Sequence, residues 1–263
     1  FSFGYMSSLN AQINTFVQKR DQTIFESVSE NGYVSFNRTV YTLPENIFRE
    51  LGHAFDLHSP FGMKLKDITE IGGRKNKHYR FTQMYNGLPV YSGYYVIHEL
   101  EDGPMAGNGK IYNPSSVRST IILNEAEALE HALRYIGAEK YFWEDSTREA
   151  KAKNKQNDPG ATYYPKATME YLPSKDLTSI ELCYTFDIYS FEETKSGKYF
   201  INAADGKVLK FLPANHVCSA GSFTSNFNGV RTVYTYDNGD EFELEDDCYD
   251  SVYGVYGENN ELD

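Results

Sequence analysis

The sequence predicts an α+β protein: two small antiparallel-sheet-plus-helix modules in tandem, followed by a β-hairpin. Three observations carry this. Alternating runs rich in aromatic and β-branched residues surround the tight-turn dipeptides Asn86-Gly87 and Asp205-Gly206. Helix-period apolar stripes with capping signals lie between those runs. The chain has 263 residues, 40% of them apolar and 15% aromatic, which is enough to fill more than one small core.

Taken in order, Leu9, Ile13, Phe16, Val17, Ile24 and Phe25 approximate a 3.6-residue period, so an amphipathic helix is expected over 9–28. Asn31-Gly32 closes it, and a short strand follows within 33–41. Thr42-Leu43-Pro44-Glu45 reads as a capping box with proline in the first turn, opening a helix whose apolar face is Ile47, Phe48, Leu51 and Phe55. Phe16, Phe25, Phe48 and Phe55 are too apolar for a tether, so these helices are expected to pack on the first sheet. His53 and His58 stand five apart, which puts them on different helical faces and speaks for surface histidines rather than a metal pair.

The stretch from His78 to His98 reads as a hairpin. Asn86-Gly87 suits a two-residue type I′ turn, whose central residues both need φ > 0. Tyr79, Phe81, Gln83 and Tyr85 fall on one face of its first arm, with Arg80, Thr82 and Met84 on the other. A third strand is expected over 105–112. Asn124-Glu125-Ala126-Glu127 is a second capping signal, and it opens a helix with Leu129, Ala132, Leu133 and Ile136 as its stripe and Gly137 as its stop. Residues 146–160 show no apolar periodicity and end in Asp-Pro-Gly, which predicts an exposed loop. Strands are expected over 180–188, 198–203 and 206–212. The last β-rich piece, 230–244, is too small to stand alone.

Charge limits the partners. Of 37 acidic residues, eleven lie from Tyr236 to Asp263, where there is no Lys or Arg, so the first 235 residues carry 26 acids against 25 bases. A nearly neutral body with an acidic tail speaks against nucleic acid, which demands a basic stripe. The tail is either a solvated segment or a calcium site. No run of 18 uncharged apolar residues occurs, which argues against a membrane-spanning helix, and no secretory leader is visible. The three cysteines form no CxxC. Cys183 reads as a buried small hydrophobe, and Cys218 and Cys248 could pair in an oxidising compartment.

Catalytic signatures are missing. There is no GxSxG, GxxxxGK[ST] or GxGxxG, and His98-Glu99 is not followed by the second histidine of HExxH. No catalytic or metal residue is therefore assigned. An enzyme working through Asp and Glu side chains stays open as a minor reading, since 37 acids always offer pairs.

The wording of the hairpin is distinctive. Tyr79 to Gly93, with Gln83, Tyr85, Asn86, Gly87, Pro89, Val90 and Gly93 in their pattern positions, then Val96-Ile97-His98 and Asp102-Gly103, closely resembles the fungalysin/thermolysin propeptide module. Leu182 to Phe186, then Tyr199 to Leu209 with Asp205-Gly206, resembles the PepSY module that follows it in secreted metalloprotease zymogens; Asn202 stands where that pattern usually has Asp. Phe227 to Val233 and Phe242 to Asp246 resemble the first hairpin of a thermolysin-like catalytic domain, with Ser251 to Tyr256 continuing it.

The resemblance implies three parts: residues 1–120, N-terminal helices with a propeptide module; 121–213, a PepSY-like module; and 214–263, a cleavage linker with the start of a catalytic domain. It implies an inhibitory and chaperoning propeptide of a secreted or cell-envelope zinc metalloendopeptidase, not itself an enzyme, with zinc and calcium belonging to the catalytic domain that is its partner. Cleavage would fall among Asn215, His216, Val217, Cys218, Ser219 and Ala220. The rival from another class is a stand-alone secreted or periplasmic protein that binds peptides or proteases. A reading frame continuing past Asp263 into HExxH would mark the zymogen, and a stop codon the binder.

Overall fold

The computed structural model describes residues 23–28, 33–71, 76–101, 105–214, 218–225, 229–237 and 242–243. They are mixed α+β, mostly strands with few helices. The chain divides into two compact units, Phe1–Ile122 with Met169–Cys183, and Leu123–Thr168 with Tyr184–Asp263.

The first unit holds a six-stranded antiparallel sheet. Its strands are β1 (Phe25–Val28), β2 (Val34–Phe36), β3 (Phe61–Ile71), β4 (Asn76–Tyr85), β5 (Leu88–Glu99) and β6 (Ala106–Lys110), in the spatial order β1-β2-β6-β5-β4-β3. At the β4–β5 connection Asn86 has φ 46° and Gly87 φ 81°, the pair of positive values expected of a type I′ turn. One face of the sheet is apolar: Tyr79, Phe81, Tyr95 and Ile97 are buried against Phe36, Ile47, Phe48 and Phe55. Phe55 packs edge-on against Phe25 and Tyr95 with ring centroids 5.6 and 5.2 Å apart, the favoured aromatic geometry. Two further pieces belong to this unit. β7 (Ser116–Arg118) pairs in parallel with the start of β9 (Ser179–Ile188), and β5 meets β8 (Thr168–Pro173) in parallel at Val90 and Tyr171.

Two expectations fail here. Phe25–Val28 is strand rather than the end of a helix, because pairing with β2 sets Phe25 against Phe36, centroids 5.2 Å apart, and buries both. Thr23 and Ile24 form a turn, and the rest of that expected helix, Phe16 included, lies outside the described residues. The Thr42 capping box does not form either. The chain enters a 3-10 turn at Pro44–Asn46 with Leu43 as N-cap and no side-chain cap, then α1 (Ile47–Leu51) and a second 3-10 turn, Gly52–Phe55. Proline at the first position needs no partner for a missing N–H, which is how this start dispenses with a cap. The apolar face expected of it is present, with Ile47 and Phe55 fully buried.

In the second unit, α2 (Glu125–Ile136) buries Ala128, Leu129, Ala132 and Ile136 and lies against β10 (Gly197–Asn202). β10 pairs with β11 (Val208–Pro213) in antiparallel register. Asn124 caps α2 as the sequence predicts: its Oδ1 accepts from Glu127 N–H at 3.0 Å, and the Glu127 carboxylate accepts from Asn124 N–H at 2.8 Å. Gly137 ends the helix at φ 55°. Asn124→Ala is expected to lower stability by about 1 kcal/mol in urea unfolding, while Asn124→Asp stays near wild type. Residues 146–160 are not a loop. Ser146–Gln156 forms α3, capped by Asp145, whose carboxylate accepts from Thr147 and Arg148 N–H, and closed by Asn157 at φ 50°. Only Ala152 of this helix is buried, so it leaves no apolar period to read. Cys218–Ser225 (β12), Gly229–Asp237 (β13) and Phe242–Glu243 (β14) make a separate three-stranded antiparallel sheet.

Candidate functional site

The hairpin β4–β5 is not a uniform ladder. Thr82 faces Tyr94, but Met84 faces Pro89, so the residues 90–93 bulge out of β5. Ser92 sits at φ 55° in that excursion. The bulge makes room for Gln83, the one fully buried polar side chain among the largest core residues. Its amide Nε2–H donates to Tyr112 O at 2.7 Å and its Oε1 accepts from Tyr112 N–H at 2.8 Å. A carboxamide carries one donor side and one acceptor side, so it pairs with both backbone groups of a single residue as a neighbouring strand would. Gly93 is the space this needs. A Cβ built there would stand 2.8 Å from both Cβ and Oε1 of Gln83.

Around the turn, Asn86 N–H donates to Pro60 O at 3.2 Å, and Tyr85 packs edge-on against Phe61 and Tyr171 with centroids 4.6 and 5.0 Å apart. Phe61 and Tyr85 line an open cleft of about 530 Å³ together with Asp56, His58, Asn113 and Pro114. Among the described residues no three His, Cys, Asp or Glu side chains converge as a metal site would require.

At the far end of the hairpin, His78 and His98 face each other across the strands, rings edge to face with centroids 4.4 Å apart. His98 Nε2 lies 2.6 Å from Asn108 Oδ1, and Tyr33 stacks on its ring. On the opposite face, Tyr79 OH donates to Glu99 at 2.7 Å; burial first, then that bond, push the phenol's pKa well above its usual value.

The other singled-out residues lie elsewhere. Asp205 and Gly206 (φ 75°) form the β10–β11 turn in the second unit, where a Cβ on Gly206 would run into the His131 ring. Asn202 accepts there from Ala204 and Asp205 N–H at 2.8 and 3.2 Å, which an Asp at that position would also do, so the departure from the family pattern preserves the turn. Asn215, His216 and Val217 fall outside the described residues, whereas Cys218, Ser219 and Ala220 stand in β12 opposite Tyr236, Thr235 and Tyr234. The Cys218–Cys248 pairing and the acidic tail beyond Glu243 also lie outside them. Cys183 is fully buried, and burial pushes its thiol up to about 12. The native chain is expected to leave Cys183 unmodified by iodoacetamide at pH 8, with labelling appearing in urea; peptide mapping by mass spectrometry reads it.

The first unit thus presents an α+β scaffold with a hairpin locked by Gln83 beside an open cleft, and among the described residues no cluster of three metal-ligating side chains. Residues 63–104, which include β4 and β5, match the Fungalysin/Thermolysin Propeptide Motif. Every hairpin residue named in the sequence, Gln83 to Gly93, falls inside that match. No curated protein matches the chain. Among solved structures, the Bacillus megaterium YpeB C-terminal domain is similar at 15% identity over 70% of this chain and 71% of that one, with a TM-score of 0.28, a likeness too slight to bear on fold or role.

Proposed function

We propose that the chain is the inhibitory and chaperoning propeptide of a secreted thermolysin-like zinc metalloendopeptidase. The observation that carries this reading is the propeptide-motif match at 63–104 on the hairpin locked by Gln83. The module boundaries follow the resemblance: a propeptide module to residue 120, a PepSY-like module to 213, and then the cleavage segment and the first strands of the protease. The parent protein supplies the zinc and calcium sites in its catalytic domain. A β-rich protease assembled through non-local contacts folds slowly, and a preformed sheet surface lowers the cost of that assembly. Inhibition would follow if the segment leaving the second unit, Pro213 to Ser219, lay along the substrate cleft of the protease, where extended peptides bind through main-chain hydrogen bonds. No helix among the described residues is long and apolar enough to cross a membrane.

The test uses the whole chain of 263 residues. Added to a panel of mature thermolysin-like endopeptidases, thermolysin included, it slows peptide hydrolysis by at least one member and raises that member's yield on refolding from urea. A chain that does neither for any member overturns the reading.

A further inference from the structure

We propose that the cross-strand pair His78–His98 is a proton-operated release point: when both imidazoles are charged, the open end of the β4–β5 hairpin loosens and the chain lets go of its protease. The second half of this statement rests on the function proposed above; the first half concerns this chain alone.

His78 and His98 are register partners, so the ladder itself holds their rings 4.4 Å apart. Like charges directly opposite across two strands destabilise the pairing. Among the described residues, the charged groups that act on His78 are His98 and Arg80, both positive when protonated. On β4 the next residue on this face is Arg80. From β3, Thr69 stands opposite His78, and the carboxylate Asp67 stands opposite Arg80 rather than opposite either imidazole. From β6, Ala106 is the register partner of His98, and Asn108 takes its Nε2. Tyr33 covers the His98 ring from the chain ahead of β2. Lys77 and Glu99, the adjacent cross-strand pair, project to the other face, where Glu99 is bound to Tyr79.

Proton bookkeeping is simple. An oxygen can only accept, so Asn108 Oδ1 keeps the hydrogen of neutral His98 on Nε2, and the added proton goes to Nδ1. His78 takes its second proton from solvent likewise. Desolvation first, then His98 and Arg80, hold the His78 pKa below the ordinary histidine value. A group depressed in this way is protonated first in the unfolded chain. Its stabilising effect is therefore complete above the unfolded value, about 6.5, and is lost as pH falls below it. Asp145, Asp176 and Glu192, held below the ordinary carboxylate range by hydrogen bonds, act in a separate and more acid window.

The experiment has two arms. In the first, thermal unfolding of the full chain is followed at pH 7.5 and 5.5, with amide hydrogen exchange mapped on residues 76–99. Wild type loses about 3 °C in Tm, and exchange accelerates at the His78–His98 end while the Asn86-Gly87 end stays protected. His98→Gln and, separately, His78→Gln remove most of that loss while leaving the further loss below pH 4.5 in place. A wild-type Tm that is flat over this range, or variants that fall in parallel with it, overturns the proposal. In the second arm, the inhibition constant for the endopeptidase that the chain inhibits is measured at pH 7.5 and 6.0. The wild-type constant weakens about threefold more than that of His98→Gln against the same enzyme. Equal weakening overturns the release, and absence of inhibition at pH 7.5 overturns the propeptide reading, whereas the first arm is independent of both.

Discussion

Gln83→Leu is expected to destabilise the first unit by about 3 kcal/mol, measured by urea unfolding, although leucine is similar in size and apolar in an apolar core. The substitution withdraws two hydrogen bonds of 2.7 and 2.8 Å from the backbone of Tyr112, itself only 6% exposed. Stripping a buried backbone group of its bond costs about 1–3 kcal/mol, and here a donor and an acceptor are stripped together. Gln83→Glu separates the hydrogen-bond argument from the packing one. A carboxylate keeps the shape and still accepts from Tyr112 N–H, but it brings a second acceptor against Tyr112 O and buries a charge. Its pKa rises in the folded state, so this variant, compared with wild type at each pH, regains stability as pH falls and the protonated carboxyl donates. A Gln83→Glu deficit that stays constant from pH 8 to pH 5 contradicts the assigned pairing. If the hairpin is the surface that meets a protease, both variants also weaken inhibition by at least as much as they loosen the fold.

The sequence showed the hairpin clearly because each of its signals is local. Asn86-Gly87 fixes the turn, and alternation fixes which side of β4 is buried. α2 was legible for the same reason, since Asn124, Glu127 and Gly137 mark both ends within one chain segment. What escaped was set by geometry between segments. β3 is eleven residues long, yet the register shifts between Leu65 and Asp67, so Phe61, Met63 and Leu65 alternate in one phase and Ile68 falls in the other. A period of two cannot be read across a bulge. α3 escaped because it buries only Ala152; its evidence is helix propensity and the caps Asp145 and Asn157 rather than an apolar stripe. In the site itself, Gln83 stood out in the motif, but its partner did not. Tyr112 lies 29 residues further on, and nothing in its own neighbourhood says that its backbone will be read by a side chain. The histidine pair was visible only as two residues bounding the hairpin, until the register placed them opposite each other.

Gly93→Ala tests how the bulge and the glutamine depend on one another. The added methyl would lie 2.8 Å from Gln83 Cβ and Oε1, closer than real Cβ atoms come to other heavy atoms, and 3.1 Å from Val90 O, tighter than nearly all real contacts. Something must give, and the backbone cannot easily do so, because Val90 is buried and paired with Tyr171 of β8. The glutamine therefore shifts and its bonds to Tyr112 lengthen. The expected cost is about 2 kcal/mol, from overpacking and from weakened hydrogen bonds. In that case the two positions are not independent. In a double-mutant cycle, Gly93→Ala is expected to cost less on a Gln83→Ala background, where the Oε1 contact and the bonds to Tyr112 are gone although the contact with Cβ of residue 83 remains, giving a coupling of about 1 kcal/mol. Additive effects would mean that Gly93 is required by the bulge's own backbone and not by Gln83. Coupling would make the glutamine and the glycine ten residues after it a single device, in which a bulge opens one strand so that a side chain can stand in for another.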